Sequence, residues 1–323
     1  MSLRPSALLL LALLAAGTAA QEMPPAHTQA SPLFGGAPPE LVQQLADGGV
    51  SIERDLSPAR RLAEHRRLEA GLAGLKPQRP GVVDAYVLSV ALDSDPVFSR
   101  EAREAGRVLA RRYDADGRAL TLAGPDGRGG PALAMGSPTA IDAALARIAE
   151  LMDVREDVLV LYTTSHGAPL GIVYNDGDQG FGAISPTRLW SALSGLGIRN
   201  RLLLVSACYS GVFVPMLQSD TTAIVTASSA DRSSFGCRAD NDWTFFGDAL
   251  ANRALRRRQS LEAAAREAQA TIADWERAGH LDASRPQVAI GAGARRWLAV
   301  LEARMPVTLG SPVGRPATAA LDR

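Results

Sequence analysis

Tyr162-Thr163-Thr164-Ser165-His166-Gly167 and Val205-Ser206-Ala207-Cys208-Tyr209-Ser210-Gly211 are the two stretches that decide how this chain folds. Each closes an apolar run, Asp157 to Thr164 in the first case and Arg201 to Ala207 in the second. Short runs of Val and Leu bounded by turn residues predict strands buried on both faces. Both predicted strands therefore end in a side chain that can react. Ser185 to Leu196 lies between them and predicts a helix, with Ser185-Pro186 suited to its cap and first turn. One helix is enough for a right-handed crossover that sets the two strands side by side. Open parallel sheets build their sites beyond the carboxyl ends of such strands.

The same alternation continues outward. Val82 to Val90 predicts a buried strand, Phe98 to Tyr113 a helix, and the region near Leu120 a short strand. Gly124-Pro125-Asp126-Gly127-Arg128-Gly129-Gly130-Pro131 is a loop. Ser137 is placed to cap a helix running through Ile141, Ala144, Leu145, Ile148 and Met152. Thr222 to Thr226 predicts a third strand in this half, and helices are predicted over Trp243 to Arg257 and Leu261 to Ala278. Strands alternating with helices make this an α/β chain with a mainly parallel sheet covered on both faces. Ahead of it, Pro39 to Leu75 reads as helical. Leu56, Ala59, Leu62, Ala63 and Ala70 form an apolar stripe, which Arg66 interrupts and Leu68 lies outside. That segment is expected to be a helical layer docked on the sheet, with a removable propeptide as the alternative. The expected organisation is a signal peptide at 1–20, a flexible N-terminus at 21–38, a helical extension at 39–80, one catalytic-type domain at 81–300 and a tail at 301–323.

Composition limits what the chain does. It has 323 residues, 46% of them hydrophobic, enough for one large core. Lys and Arg together number 34, as do Asp and Glu, so no net field draws it to nucleic acid or an acidic membrane. Lys76 is the single lysine, and Arg256-Arg257-Arg258 reads as a solvated helix face. Arg4, the apolar run Ala7 to Ala16 and the small residues Gly17-Thr18-Ala19-Ala20 make an export signal cleaved before Gln21, too short for a membrane span. A periplasmic or secreted protein is expected. His27, His65 and His280 lack metal-ligand spacing and read as ordinary surface histidines, His27 in the flexible segment. Trp190 and Trp243 read as core.

The chemistry follows from residue type. An ordinary thiol has a pKa of about 8.5 and is mostly protonated near neutral pH. An imidazole beside it can take that proton or, as imidazolium, stabilise the thiolate. Such a thiolate attacks a peptide carbonyl, and the imidazolium protonates the leaving amine. The oxyanion that forms needs fixed donors, for which the Gly167 and Cys208 amides are the candidates. Gly167 and Gly211 would let substrate approach the backbone closely. Two cysteines, Cys208 and Cys237, also allow a different reading, a structural disulfide in an oxidising compartment.

His166-Gly167, Gly171-Ile172-Val173, Ala207-Cys208-Tyr209-Ser210-Gly211, Thr226-Ala227-Ser228, Ser233-Ser234-Phe235-Gly236-Cys237 and Gly247-Asp248 follow one another in an order that resembles the legumain-like (C13) cysteine peptidases of the caspase-like clan. The resemblance covers roughly residues 81 to 255. It implies a caspase-like three-layer α/β/α sandwich and a cysteine endopeptidase with catalytic Cys208 and His166, acting on a peptide or protein through an acyl-enzyme, without metal or organic cofactor. It also implies substrate-binding roles for Asp248, Ser206, Ser233 and Ser234, and a structural position for Cys237. Ser206 stands where legumains carry Glu, and the Arg that partners it there has no counterpart in Ala91-Leu92-Asp93-Ser94-Asp95. Either Asp93 or Asp95 is a candidate to orient His166. The alternatives are a transpeptidase using the same pair and a binding protein with a Cys208–Cys237 disulfide.

Overall fold

The computed structural model describes residues 22–29, 31–32, 37–130 and 132–321. The expected signal peptide lies outside the described residues. In chain order the elements are α1 (Pro39–Asp47), β1 (Ile52–Glu53), α2 (Pro58–Ala73), β2 (Ala85–Ala91), α3 (Pro96–Arg112), β3 (Ala119–Leu122), α4 (Pro138–Leu151), β4 (Val158–Thr164), β5 (Gly167–Ala168), β6 (Gly171–Asp176) and β7 (Gly180–Ile184). There follow α5 (Pro186–Gly195), β8 (Arg201–Ser206), α6 (Phe213–Leu217), β9 (Thr222–Thr226), α7 (Leu261–Ala278), β10 (Gln287–Ile290) and α8 (Ala292–Ala303).

Six strands form the main sheet in the order β10-β9-β8-β4-β2-β3. All pairs are parallel except the one between β10 and β9. The strands are buried along both faces, and alternate residues feed two separate cores. Val87, Val160, Leu204 and Val225 point to one side, against residues of α3, α7 and α8. Leu88, Leu161, Leu203 and Ile224 point to the other, against residues of α4, α5 and α6. This is the three-layer α/β/α sandwich that the apolar runs imply. The helix starts follow the sequence rules: Ser137 Oγ accepts from Ala140 N at 3.1 Å, and Ser185 Oγ accepts from Arg188 N at 3.1 Å. Such caps are worth about 1 kcal/mol each.

Several expectations need correcting. The stripe assigned to residues 56–70 does not dock: Leu62 is 47% exposed, and Ala59 and Ala70 are exposed. Leu68 and Leu72 pack against the core instead, and Arg60 reaches the Asp176 carboxylate at 3.1 Å. A helix with so few apolar residues is oriented by its ion pairs as much as by its stripe. The helix predicted over Trp243 to Arg257 is irregular, a π-helical turn at Gly247–Arg253 followed by a 3-10 turn at Ala254–Arg256. Trp243 is buried, but Trp190 is 44% exposed on α5 rather than in the core. A second, antiparallel sheet, β1-β7-β6-β5, was not foreseen. Among the described residues no helix is long and apolar enough to cross a membrane.

Candidate active site

Register brings the two reactive side chains together. β4 and β8 are neighbours, with Thr164 opposite Ser206. His166 and Cys208 each lie two residues past that pair, so they leave the sheet at the same level. Ser165 N donates to Ser206 O at 3.2 Å, which ties the two overhangs. The strand order reverses between β2 and β4, since the chain passes from β2 to β3 on one side and then back to β4 on the other. His166 stands beside the crevice at that switch point, with Cys208 one strand further along the sheet.

Gly167 is required by closeness. A Cβ there would overlap the carbonyl oxygen of Cys208. The close approach permitted by Gly167 is therefore to the nucleophile strand, not to substrate. Gly211 likewise lies against Ser229 and Ala230. Val173 N donates to His166 O at 3.0 Å, flanking the Gly167–Ile172 pair and leaving the Gly167 N–H outside the ladder. Tyr209, directly after Cys208, has φ +57°, an uncommon backbone state for a residue with a Cβ. Its N–H donates to Arg232 O at 2.8 Å, which holds the turn.

Ser234 wraps the sulfur. Its N–H donates to Cys208 Sγ at 3.2 Å, and its hydroxyl lies 3.6 Å away. The Cys208 thiol is pulled down to about 5, with the neighbouring Cys237 thiol as the largest cause. Burial opposes this, while the Ser234 donors and the His166 charge add to it. The Cys237 thiol moves the opposite way, raised by the neighbouring Cys208 and by desolvation. Both cysteines are free, so the disulfide of the alternative reading is not formed.

His166 is raised above its ordinary value, chiefly by Asp95, with Asp93 and Cys208 contributing. Its Nε2 is 3.9 Å from Asp95 Oδ2, and Phe98 meets the ring edge-on at 5.1 Å. Asp95 is lowered by the same contact. Asp93, fully buried, is raised to about 6 by burial. Both acids leave the tip of β2 in a loop zipped to β6 by Ser94 N to Asn175 O and Asn175 N to Leu92 O, each 2.9 Å.

The other substrate-binding candidates separate. Ser233 lines an open cavity of about 580 Å³ beside Tyr209, with Asp231, His280 and Asp282 on its walls. Ser206 is buried, its hydroxyl 3.0 Å from that of Thr244. Asp248 is fully buried and engaged with Asn252 Nδ2 (2.9 Å), Arg253 Nε (3.0 Å) and Ala317 N (2.9 Å). It has no exposed surface, and the irregular turn holds it against the C-terminal segment through Ala317 N. The residue the sequence reading missed is His27. It is not loose: Nε2 is 2.7 Å from Ser94 Oγ and Nδ1 is 3.0 Å from Asn175 Nδ2. No local pattern signals this, since Ser94 is 67 positions away.

A histidine and a cysteine whose thiol is pulled down thus stand at adjacent tips of a parallel sheet. The family model described as the Peptidase C13 family matches residues 136–292, which contain His166, Cys208 and Cys237. The resemblance to legumain-like peptidases thus extends over that span. Among solved structures the chain is similar to caspase-1 from Spodoptera frugiperda, at 15% identity and TM-score 0.42, covering 64% of this chain and 85% of that one. No curated protein matches.

Proposed function

We propose that the chain is a cysteine endopeptidase of the legumain type, working through a Cys208–His166 pair and an acyl-enzyme. The observation that carries this is the pair itself, with the cysteine lowered to about 5 and the histidine raised by Asp95. Opposite shifts of this kind favour thiolate and imidazolium together at neutral pH. The Cys208 sulfur attacks the scissile carbonyl carbon, and the Cys208 and Gly167 N–H groups receive the oxyanion. His166 gives its proton to the leaving amine, which departs and leaves a thioester. His166, now neutral, takes a proton from water as that water attacks the thioester, and the acid product leaves with Cys208 again a thiolate. Asp95 keeps the imidazole oriented and stabilises its charge.

The enzyme acts outside the cytoplasm after removal of residues 1–20, and the intact mass of the exported form checks the Gln21 start. A peptide-library digest tests the activity. Wild-type protein should release fragments, whereas Cys208→Ala and His166→Ala should each lose about a thousandfold or more in rate. Retained cleavage by either folded variant would refute the assignment.

A further inference from the structure

Residues 22–29 form a strap laid across the turn between β6 and β7. Glu22 pairs with Arg67 of α2 at 2.6 Å, and the Thr28 and Gln29 N–H groups donate to Asp178 Oδ1 at 2.9 and 2.8 Å. Arg54 Nη2 donates to Gln29 Oε1 at 2.7 Å. Pro25 lies against Gly177, where a Cβ would strike it, so the strap sits directly on the turn. His27 enters between that turn and the loop at the tip of β2, the loop that carries Asp95.

The hydrogen bonds around the ring fix its form. Ser94 Oγ donates to Pro25 O at 3.3 Å and accepts from Gly177 N at 2.9 Å. With its proton so used, it accepts from His27 Nε2–H at 2.7 Å, while His27 Nδ1 accepts from Asn175 Nδ2 at 3.0 Å. A neutral imidazole has one donor and one acceptor nitrogen and satisfies both contacts. Ser94 thus knots three segments together: the strap, the β2 loop and the β6–β7 hairpin. His27 Nε2 is also 3.5 Å from Asp93 Oδ1 and 4.0 Å from Asp95 Oδ1. Asp93 Oδ1 accepts from Asp95 N at 2.8 Å, and Asp95 Oδ2 is 3.9 Å from His166 Nε2. The Asp95 carboxylate therefore stands between two imidazoles, one toward each oxygen. The other charged groups acting near His27 are Asp178 and Asp176 of the turn, the latter paired with Arg60. Those acting on His166 are Asp95, Asp93 and Cys208.

Given the Cys208–His166 pair of the proposed function, we propose that His27 is a positioning residue for His166, acting through Ser94 and Asp95. Its Nε2–H holds Ser94, next to Asp95 in the chain, and its ring closes one side of the Asp93–Asp95 pair to water. A carboxylate pulls on a nearby imidazolium less strongly once water reaches it, because the effective dielectric rises. Without the ring, water enters beside Asp93 and Asp95, the knot at Ser94 loosens, and Asp95 stabilises the charge on His166 less well. The strap thereby becomes part of what keeps the general acid protonated.

The test uses the chain from Gln21 carrying Cys208→Ala, in which neither proteolysis nor the thiolate charge intrudes. The imidazole proton resonances of the four histidines are followed against pH by nuclear magnetic resonance, and that of His166 is assigned by its loss in His166→Ala. In His27→Ala the His166 midpoint should fall by about half a unit or more, toward 6.5. His27→Gln keeps an amide donor for Ser94 Oγ and should retain most of the original value. In chains that keep Cys208, the basic limb of kcat/KM should move down with the His166 midpoint. An unchanged His166 midpoint in His27→Ala, whether or not the thermal midpoint drops, or an equal fall in His27→Ala and His27→Gln, overturns the role. The resonance readout needs no activity, so the role can fail while the peptidase reading stands. Absence of peptide cleavage would refute that reading and leave the coupling of the two imidazoles measured.

Discussion

Replacing Cys237 with alanine should make the nucleophile less acidic. Cys208 sits at about 5, and the Cys237 thiol is the first cause of that value. A hydrogen bond to a charged group is worth about 1.5–3 kcal/mol. At 1.36 kcal/mol per pKa unit, losing it raises the thiol by about 1–2 units, to about 6–7. The Ser234 donors and the His166 charge remain, so the value should stay below that of a free cysteine. The assay is the pH dependence of iodoacetamide alkylation, with thiolate absorbance near 240 nm as an independent readout. In wild type the raised Cys237 stays protonated through this range, so Cys208 alone is observed. Cys237→Ser keeps a donor and should retain most of the depression, which separates hydrogen bonding from simple loss of packing. An unchanged midpoint in Cys237→Ala would refute the reasoning and leave Ser234 and His166 as the sources of the acidity.

The pH dependence of kcat/KM should be bell-shaped. Activity needs the thiolate, present above about 5 and lost as pH falls through it, and the imidazolium, present below the His166 pKa and lost as pH rises through a value above 6.5. A single sigmoid through 8.5 would contradict the paired ionisation. Asp248→Ala should lower stability by about 1–3 kcal/mol in urea, since Ala317 N and Asn252 lose a buried acceptor. A changed KM at unchanged stability would instead restore the substrate-pocket role that the resemblance implied.

The reactive strands were legible because burial on both faces writes itself as an apolar run. β4 and β8 were expected at Asp157 to Thr164 and Arg201 to Ala207, and lie at Val158–Thr164 and Arg201–Ser206. The antiparallel sheet was not legible, since Gly171, Gly180 and Gly182 dilute the β-forming residues of β6 and β7. Likewise, α2 was misread because its apolar residues are few and its seat is fixed by partners such as Asp176 that sequence does not bring near. The Cys208–His166 pairing was accessible through strand order and crossover length. The positions of Asp248 and His27 were not, since they depend on an irregular turn and on contacts between distant segments.

The two-residue strand β1 has a wider consequence than its length suggests. Ile52 and Glu53 pair with Phe181 and Gly180, closing one side of the small sheet whose far strand begins at Gly167. A protease cutting between Glu53 and Ala85 and freeing the preceding piece would bare the backbone of β7, an invitation to pair with another molecule. Trimming that keeps β7 covered would therefore fall ahead of Ile52, leaving β1 and α2 a permanent part of the chain rather than a detachable cover.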